Sequence, residues 1–508
     1  MRARRSILNF GTSALLMAVT MAVSLPATPW LIRWLEASVY GGVKVVNEAF
    51  GWITILELGL GGAIGPLLAG ALGRGDERAV RETVAAGSRA YLWVVVVCVC
   101  VGLAATPIVP WFARGLTPPQ VVDLRRAWVV QLAAFLPLVF LPLRSVFDAR
   151  QLGYVVNLLL IGQSLVITGT SLLLAYKGWG ITGQAVAQVL GAWSFGLVLA
   201  AGAFRTHPGL FRAMLTMPTT PETRRALRNL SAPTLLLNVC GRVSVLSDRM
   251  VLGALRNTSL VTSLDNTQKL AVMGQSVLQA VGGASWAALA ELHAQGRIET
   301  FNRRLVEMTR VVTVLAVIGL VPVVAYNRAF IRIWLRGESF YGGDAVTTLA
   351  AVNAVLLATQ SLWGWCFAAT GKVRDVIPIV TAAAFVNIGT SVVMTRIFGM
   401  PGPLIGSTVA FVGVGLWATP RLLHRTFGTP VVELAKAVGV PFAVGALAAG
   451  ALRGFTQYHE PNGWAGLAAE MSLAALAMLA VSVTLLLTPE DRAHWRQRLS
   501  SLRPGMTP

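Results

Sequence analysis

The chain of 508 residues is 55% hydrophobic and 13% charged, with a mean hydropathy of +0.66. A soluble domain carries about 25% charged residues, so this composition predicts a membrane protein and leaves no stretch for a separate water-soluble domain. The net charge of +20 lies mostly in short arginine-bearing loops, which indicates membrane topology and contact with anionic headgroups rather than binding of nucleic acid.

Apolar segments of about 20 residues predict membrane-spanning helices along the whole chain. We predict an all-α polytopic membrane protein with about 14 such helices, in the order six, six and two. The predicted spans are 9–31, 43–71, 85–108, 127–146, 154–176, 181–203, 231–255, 267–291, 309–327, 345–369, 375–396, 402–420, 434–453 and 464–487.

The segment between the two sets of six helices is basic and rich in proline, which is typical of a linker. It is either a solvated connection or a surface that meets anionic headgroups or a partner. Lysines and arginines favour one set of alternate loops by roughly two to one, which places both termini in the cytoplasm. The predicted domains are a six-helix lobe at 1–204, a cytoplasmic basic linker at 205–229, a second six-helix lobe at 230–425, and two further helices with a tail at 426–508.

Polar side chains lie inside the second predicted helix. Asn47, Glu48 and Glu57 fall within a run that is otherwise apolar enough to cross a bilayer. A carboxylate at membrane depth costs at least about 2.5 kcal/mol, so it is expected only where it faces protein or water. This helix is therefore predicted to line a polar interior.

Small residues follow in the same helix. Gly61 and Gly65 have the four-residue spacing that allows helix backbones to approach closely, and Pro66 favours a kink. A similar pattern recurs in the second half of the chain, as in many transporters, which place the substrate site between their halves. The matching segments are Gly61-Gly62-Ala63 with Gly282-Gly283-Ala284, Leu68-Ala69 with Leu289-Ala290, and Gly75 with Gly296.

The seventh predicted helix has the densest charge within the membrane. Arg242 and Arg249 are seven residues apart, which places them on one face of a continuous helix, and Asp248 precedes the second arginine. With a rise of about 1.5 Å per residue, Arg242 and Glu57 lie near the middle of the bilayer, and Arg249 and Glu48 lie in its outer third. We therefore predict two acid–base pairs, Glu57 with Arg242 and Glu48 with Arg249.

Two interpretations of these charges remain open. They form buried ion pairs that set helix packing, or they line a water-filled cavity that attracts an anion, since arginine suits bidentate contact with phosphate. Polar residues on other helices, such as Gln184 and Asn353, fit either a lined cleft or hydrogen bonds between helices. The predicted substrate-binding residues are Arg242, Arg249, Lys269, Gln275 and Gln279, and the predicted coupling or gating residues are Glu48, Glu57 and Asp248.

Motifs for catalysis and metal binding are missing from the sequence. There is no Walker A segment, and the five histidines lack the paired spacing of metal ligands. The four cysteines lie in apolar runs, as small core side chains do. We predict no enzymatic activity, no cofactor and no metal site, and leave open a coupling to protons or sodium.

Four segments resemble the polysaccharide (O-antigen type) flippases. ELGLGGAIGPLLAGALGRGD, from Glu57, is similar to the acidic-Leu-Gly-Leu-Gly segment of their second helix, and SDRMVLGAL, from Ser247, to the Asp-Arg/Lys pair of their seventh. IRIWLRGESFYGGDAVTTLAAVNAVLL, from Ile331, resembles their Gly-x-x-Phe/Tyr turn before the tenth helix, and FAATGKVRDVIPIV, from Phe367, the gap before the eleventh. In order and spacing, the four segments extend the resemblance over nearly the whole chain.

The resemblance implies the multidrug/oligosaccharidyl-lipid/polysaccharide (MOP) exporter superfamily, with two six-helix lobes in a V around a central cavity. It implies a flippase of the bacterial inner membrane that moves a lipid-linked oligosaccharide by alternating access, for a surface polysaccharide such as O-antigen or exopolysaccharide. The carrier is expected to be undecaprenyl pyrophosphate. The implied partners are this lipid-linked oligosaccharide, anionic membrane lipids, and a polysaccharide polymerase or export machinery.

Other members of the same superfamily remain as alternatives. A lipid II flippase or a cation-coupled multidrug or metabolite exporter would share the fold. The peptidoglycan-precursor flippases carry charged residues in their first helix, and the multidrug exporters use an acidic residue there, whereas residues 9–31 have none. A non-transporting membrane scaffold is a third class, and the charges within the membrane count against it.

Overall fold

The computed structural model describes residues 2–243 and 247–486, and nearly all of these residues are helical. Within these ranges there is no β-strand, which confirms the all-α prediction. The chain forms two compact units. The first is built from residues up to Thr262 together with Thr395–Gly399, and the second from Ser263–Met394 and residues from Met400 onward.

The helices follow one another along the chain with short connections. The first unit contains α1 (Arg2–Leu35), α2 (Ala37–Ile53), α3 (Leu58–Gly73), α4 (Glu77–Ala105), α5 (Pro118–Gln131), α6 (Leu141–Ala149), α7 (Gly153–Tyr176), α8 (Gly180–Thr206), α9 (Gly209–Thr216), α10 (Pro221–Val243) and α11 (Asp248–Leu255). The chain continues with α12 (Thr258–Thr267), α13 (Lys269–Ala284), α14 (Trp286–Ala294), α15 (Ile298–Trp334), α16 (Asp344–Ala369), α17 (Val373–Phe398), α18 (Gly402–Ala410), α19 (Leu416–Phe427), α20 (Val431–Tyr458) and α21 (Gly463–Val481). Thr54–Glu57, Val109–Phe112 and Leu132–Phe140 form 3-10 helices, and Phe411–Gly415 and Ser482–Leu486 form π-helices.

The chain is a multi-pass membrane protein. Over the described ranges, eleven helices are long and apolar enough to cross a membrane, and each corresponds to one of the predicted spans. The other three predicted spans, at 43–71, 231–255 and 267–291, are each divided into shorter helices. The count of about fourteen spanning helices stays a prediction, and these three spans carry the predicted site residues.

The second predicted span changes helix type at Thr54–Glu57. Thr54 Oγ1 donates to the carbonyl oxygen of Gly51 at 2.7 Å, which satisfies an acceptor at the end of α2. α3 then runs through Pro66, where the kink was predicted. Membrane helices tolerate an internal proline where local adjustments satisfy the freed carbonyl group. The change of helix type thus lies at Thr54–Glu57, before the proline, and α3 continues through Pro66.

The close approach of α3 to a neighbouring helix occurs at Gly59 rather than at the predicted Gly61 and Gly65. A Cβ atom on Gly59 would lie 2.8 Å from the carbonyl oxygen of Ser231 on α10. The nearest atom to a Cβ on Gly61 is 3.6 Å away, an ordinary contact, and Gly65 has nothing within 4 Å. Since Gly59 and Gly61 point to roughly opposite sides of a helix, the spacing did not identify the contact face.

The seventh predicted span does not continue as one described helix. α10 ends at Val243 and α11 begins at Asp248, while residues 244–246 lie outside the described ranges. Arg242 and Arg249 therefore belong to separate helices, and the 3.6-residue period cannot place them on one face. Whether their side chains face the same way stays a prediction, since the Arg242 side chain and residues 244–246 lie outside the described part of the structure.

The boundary between the two compact units lies later in the chain than the predicted linker at 205–229. α10 and α11 belong to the first unit, because α10 packs on α3 at Gly59 and α11 packs on α2. The predicted six-helix lobes at 1–204 and 230–425 thus differ from the compact units in where the seventh span is assigned. Their superposition stays a prediction.

Two turns recur in the two halves of the chain with the same backbone hydrogen bonds. Gly75 follows α3 with a φ of 71°, and Gly296, its match in the predicted repeat, follows α14 with a φ of 70°. In both turns the glycine N–H donates to the carbonyl three residues earlier, and the next N–H to the carbonyl five residues earlier. Gln151 and Gly371 form a second pair with this pattern. The left-handed conformation that ends a helix favours glycine, so the glycine match in the sequence identified a matching turn.

Candidate functional site

Glu48 connects α2 with the first turn of α11. α2 places it on a buried face beside Val45 and Ala49, and Glu48 is 3% exposed. Its Oε2 accepts a hydrogen bond from Arg249 Nη1 at 3.0 Å. Its Oε1 accepts from the backbone N–H groups of Arg249 at 3.0 Å and Met250 at 3.2 Å. The predicted pair of Glu48 with Arg249 is confirmed.

The carboxylate of Glu48 caps α11 from a different helix. The first N–H groups of a helix lack partners within it, and this end attracts negative charge. Glu48 satisfies two of these N–H groups, and the guanidinium of Arg249 balances its charge. A buried charge is tolerated where it is paired and hydrogen-bonded in this way, so α11 can begin in the interior of the first unit.

Arg249 and Asp248 are more accessible than Glu48. The side chain of Arg249 keeps 27% of its surface exposed, against 1% for that of Glu48. Asp248 is half-buried and is the first residue of α11, where a negative charge complements the helix end. The start of α11 therefore combines a buried carboxylate with an arginine side chain that is partly exposed.

Glu57 makes a second polar contact between helices of the first unit. It ends the 3-10 turn, and its Oε1 accepts a hydrogen bond from the hydroxyl of Tyr91 on α4 at 2.7 Å. Tyr91 is buried and was not identified from the sequence, where it is a single tyrosine in an apolar run. The predicted partner Arg242 lies on α10, but its side chain is outside the described part of the structure. The pair of Glu57 with Arg242 stays a prediction.

Replacing Tyr91 by phenylalanine is expected to lower the free energy of unfolding by about 2 kcal/mol, because a hydrogen bond to a charged acceptor is lost. Thermal unfolding of the purified protein in detergent measures the change. Tyr458→Phe is the control, since its ring is 92% exposed. Equal melting temperatures for Tyr91→Phe and the wild type would mean that this bond contributes nothing.

The other predicted substrate-binding residues belong to the second unit. Lys269 is the first residue of α13, and Gln275 follows on the same helix; both are half-buried. Gln279 Nε2 donates to Ser361 Oγ on α16 at 3.2 Å. The structure therefore brings Glu48, Asp248 and Arg249 together within the first unit. Lys269, Gln275 and Gln279 lie on α13, a helix of the second unit.

Polar residues on the remaining helices join neighbouring helices within a unit. Gln184 on α8 donates to the carbonyl oxygen of Ser171 on α7 at 3.1 Å. Asn353 on α16 donates to the carbonyl oxygen of Leu404 on α18 at 2.9 Å. Of the two interpretations of these residues, the contacts favour hydrogen bonding between helices.

An apolar cavity of about 410 Å³ lies among α15, α16 and α20 of the second unit. From α20, the small residues Gly445, Ala446, Ala449 and Gly450 line the cavity over two turns, with Phe442 and Arg453 at either end of this stretch. Arg453 forms an ion pair with Asp344 at the start of α16. This cavity was not predicted from the sequence, although small residues on one face of a membrane helix are a recognisable signal. Its size and lining suit an alkyl chain.

No family model matches the chain. A relative from Rhizobium meliloti (strain 1021), a probable multidrug resistance protein NorM, is 29% identical over 196 residues, which are 36% of this chain and 40% of the relative. The matched region thus spans well under half of that protein.

Several solved structures have a similar fold. The lipid II flippase MurJ in an inward closed conformation has a TM-score of 0.70 at 10% identity, covering 97% of this chain and 100% of that one. A multidrug resistance MATE family transporter of the MOP superfamily, in an inward-facing conformation, has a TM-score of 0.65 at 16% identity, covering 80% and 96%. The eukaryotic MATE transporter AtDTX14 has a TM-score of 0.58 at 14% identity, covering 85% and 100%. The chain therefore shares the overall fold of these transporters.

Proposed function

We propose that this protein is a flippase that moves a lipid-linked oligosaccharide, carried on undecaprenyl pyrophosphate, across the bacterial inner membrane by alternating access. The observation that carries the proposal is the start of α11, where Arg249 stays 27% exposed beside the buried carboxylate of Glu48. An arginine with open surface inside a membrane protein favours an anionic group, and its planar fork suits a pyrophosphate. The shared fold with MurJ and the MATE transporters supports a transporter.

The contacts of Glu48 suggest how Arg249 could exchange partners. When the guanidinium turns from Glu48 to a pyrophosphate, the carboxylate keeps the N–H groups of Arg249 and Met250. Glu48 is then not left as an isolated buried charge, which would cost several kcal/mol. The pair can therefore open during binding without unfolding the first turn of α11.

The apolar cavity of the second unit supports a substrate with a long hydrocarbon tail. About 410 Å³ lined by α15, α16 and α20 accommodates part of a prenyl chain, with small residues of α20 leaving the space. Drug-sized ligand sites combine apolar walls with a few polar groups. A wall that is almost entirely apolar fits a hydrocarbon chain better than a soluble metabolite.

The remaining predicted roles form part of the same proposal. Arg242, Lys269, Gln275 and Gln279 are proposed to contact the substrate. Glu48, Glu57 and Asp248 are proposed as coupling or gating residues, with a proton or sodium ion as the coupling ion. Both termini are proposed to be cytoplasmic, and a polysaccharide polymerase or export machinery is the proposed protein partner.

Replacing Arg249 by alanine is expected to abolish export of the surface polysaccharide in a strain that depends on this protein, with export compared per amount of protein in the membrane, since the variant is also expected to be less stable. Arg249→Lys is expected to restore export only in part, because a point charge cannot reproduce bidentate contact. Arg425→Ala, which removes an exposed arginine on α19, is the matched control. Normal export by Arg249→Ala would limit this arginine to a structural role.

A cation-coupled multidrug exporter is the second candidate, because the partial match to the NorM protein favours it. This function predicts that expression raises resistance to cationic drugs in a sensitive host, and that polysaccharide export does not depend on the protein. Drug resistance together with intact export in a deletion strain would replace the flippase proposal.

A further inference from the structure

The short helix α9 (Gly209–Thr216) lies between α8 and α10 and is built with three different faces. Leu210 and Ala213 form the first face and are buried. Leu210 joins the core of the first unit, where it packs with Val80 of α4 and Leu199 of α8. This face fixes α9 to the protein.

The second face of α9 is apolar and exposed. Phe211 and Leu215 are four residues apart, so they lie on the same side of the helix. Phe211 is 52% exposed and Leu215 is 66% exposed. Burying large apolar side chains is favourable, so contact of both with water is unfavourable.

The third face of α9 is polar. Arg212 and Thr216 are also four residues apart, lie about 100° round the helix from Phe211 and Leu215, and are exposed. A helix with adjacent apolar and basic exposed faces is typical of the boundary between acyl chains and headgroups. The first face of α9 therefore suits contact with protein, the second contact with hydrocarbon, and the third contact with headgroups.

Contacts on both sides hold α9 in this orientation. The rings of Phe204 on α8 and Phe211 meet edge to face at 5.1 Å between centroids. Arg89 of α4 donates to the carbonyl oxygen of Met217, directly after α9. The surface is thus preformed rather than folded on binding.

The start of α10 is fixed to the same helix, α4. Glu82 Oε1 accepts hydrogen bonds from the backbone N–H of Thr220 at 2.8 Å and from its hydroxyl at 2.6 Å. The hydroxyl of Thr223 donates to the same oxygen at 2.9 Å. The connection that contains α9 is therefore hydrogen-bonded to α4 both at Met217 and at Thr220.

The charge around α9 favours an anionic surface. Residues 205–229 contain five arginines and one acidic residue. The guanidinium of Arg81 adds to this charge, since its Nη1 lies 3.2 Å from where a Cβ on Gly209 would be. Each basic residue near an anionic membrane surface contributes about 1 kcal/mol.

We propose that α9 is an interfacial helix that binds anionic phospholipid. Phe211 and Leu215 lie among the acyl chains, and Arg212 and Arg205 contact the headgroups. α8, which is long enough to span the membrane, ends at Thr206, three residues before α9 begins. The helix is thereby held at the membrane surface, independently of which substrate the protein carries.

The depth of each face is tested by spin labels on the full chain, with Cys100 and Cys240 replaced by serine and buried Cys98 and Cys366 kept. Single cysteines at Phe211, Leu215, Arg212 and Thr216 are labelled in vesicles of phosphatidylcholine with phosphatidylglycerol. Labels at Phe211 and Leu215 are expected to collide mainly with oxygen, which dissolves in the acyl region. Labels at Arg212 and Thr216 are expected to collide mainly with an aqueous nickel chelate.

Two outcomes would overturn this placement. Equal nickel accessibility at all four sites would put the whole helix in water. Shielding of the labels at Phe211 and Leu215 from both oxygen and nickel would mean that a second copy or another protein covers this face.

The headgroup contact is tested on the chain with its native cysteines, by titrating phosphatidylglycerol and following thermal stability. The double variant Arg205→Gln/Arg212→Gln is expected to raise the titration midpoint about 30-fold, as two contacts of this kind predict. The control Arg374→Gln/Arg425→Gln removes two exposed arginines elsewhere and is expected to leave the midpoint unchanged. A double variant that titrates like the wild type would exclude these arginines as headgroup ligands.

Discussion

Replacing Gly41 by alanine is expected to prevent the protein from folding to a monodisperse form. A Cβ on Gly41, in α2, would lie 1.8 Å from the carbonyl oxygen of Thr258 and 2.6 Å from its carbonyl carbon, at the start of α12. Neither atom can move as the end of a flexible side chain could. Overpacking costs about 1–3 kcal/mol when side chains can adjust, and a clash with the backbone costs more.

The same crossing carries a hydrogen bond that would be strained. Thr262 Oγ1 donates to the carbonyl oxygen of Ala37, one turn before Gly41, at 2.6 Å. Moving α2 away from α12 to admit a methyl group would therefore break this bond as well. The two contacts make Gly41 the position where α2 and the start of α12 are set relative to each other.

Gly65→Ala is the matched control for Gly41→Ala, because both glycines lie in apolar helices and nothing lies within 4 Å of a Cβ on Gly65. Alanine in a helix interior is favoured over glycine by about 0.5–1 kcal/mol, so this variant is expected to be as stable as the wild type or slightly more stable. Size-exclusion profiles and melting temperatures in detergent measure both. A Gly41→Ala protein with the wild-type profile would contradict the described crossing.

Replacing Arg249 by methionine is expected to lower the free energy of unfolding by about 3 kcal/mol, because Glu48 keeps its two N–H donors but its buried charge loses the guanidinium that balances it, and no substrate phosphate takes up the exchange. Glu48→Ala is expected to cost at least as much, since it also removes the acceptor for two N–H groups of α11. The double variant Glu48→Gln/Arg249→Met is expected to be more stable than Arg249→Met alone. Its neutral amide can still accept from these N–H groups without a buried charge.

The control for this pair is Lys436→Met. Lys436 pairs with Glu433 at 3.0 Å on α20, where the side chains are 61% and 45% exposed, and such surface pairs contribute little. Thermal unfolding of the wild type, Glu48→Gln, Arg249→Met and the double variant forms a double-mutant cycle. If the double variant were as unstable as the sum of Arg249→Met and Glu48→Gln, the two residues would not be coupled.

Local patterns in the sequence were sufficient to predict those parts of the fold that depend on residues close together in the chain. Eleven predicted spans became spanning helices because twenty apolar residues satisfy their own backbone only as a helix. The match of Gly75 with Gly296 identified two turns with the same hydrogen bonds, because a left-handed residue at a helix end favours glycine. Depth matching also paired Glu48 with Arg249 correctly.

The divided helices were not predictable in the same way. The start of α11 is stabilised by Glu48, which lies 201 residues earlier in the chain, and no local pattern near Asp248 contains that partner. The face of α3 that meets α10 was likewise decided by a distant segment, so glycine spacing indicated Gly61 and Gly65 while the contact is at Gly59. Contacts between distant segments decide where an apolar run stops being one helix.

The site could be predicted in part. Charge within the membrane identified Glu48, Glu57 and Arg249, because such residues are rare and need partners. Tyr91 carries no comparable signal, since tyrosine is common in membrane helices. The apolar cavity depends on the packing of three helices of the second unit. In the sequence, only the small residues of α20 indicate it.

The central proposal is tested most directly with purified protein in vesicles that contain an undecaprenyl-pyrophosphate-linked oligosaccharide. A glycosidase that cannot cross the membrane is added outside, and the fraction of oligosaccharide it reaches is followed over time. The proposal predicts that vesicles with the wild-type protein expose inner-leaflet substrate with time, while vesicles with Arg249→Ala behave like protein-free vesicles. If the wild-type protein exposes no more oligosaccharide than protein-free vesicles, under an imposed proton or sodium gradient as well as without one, the protein is not this flippase.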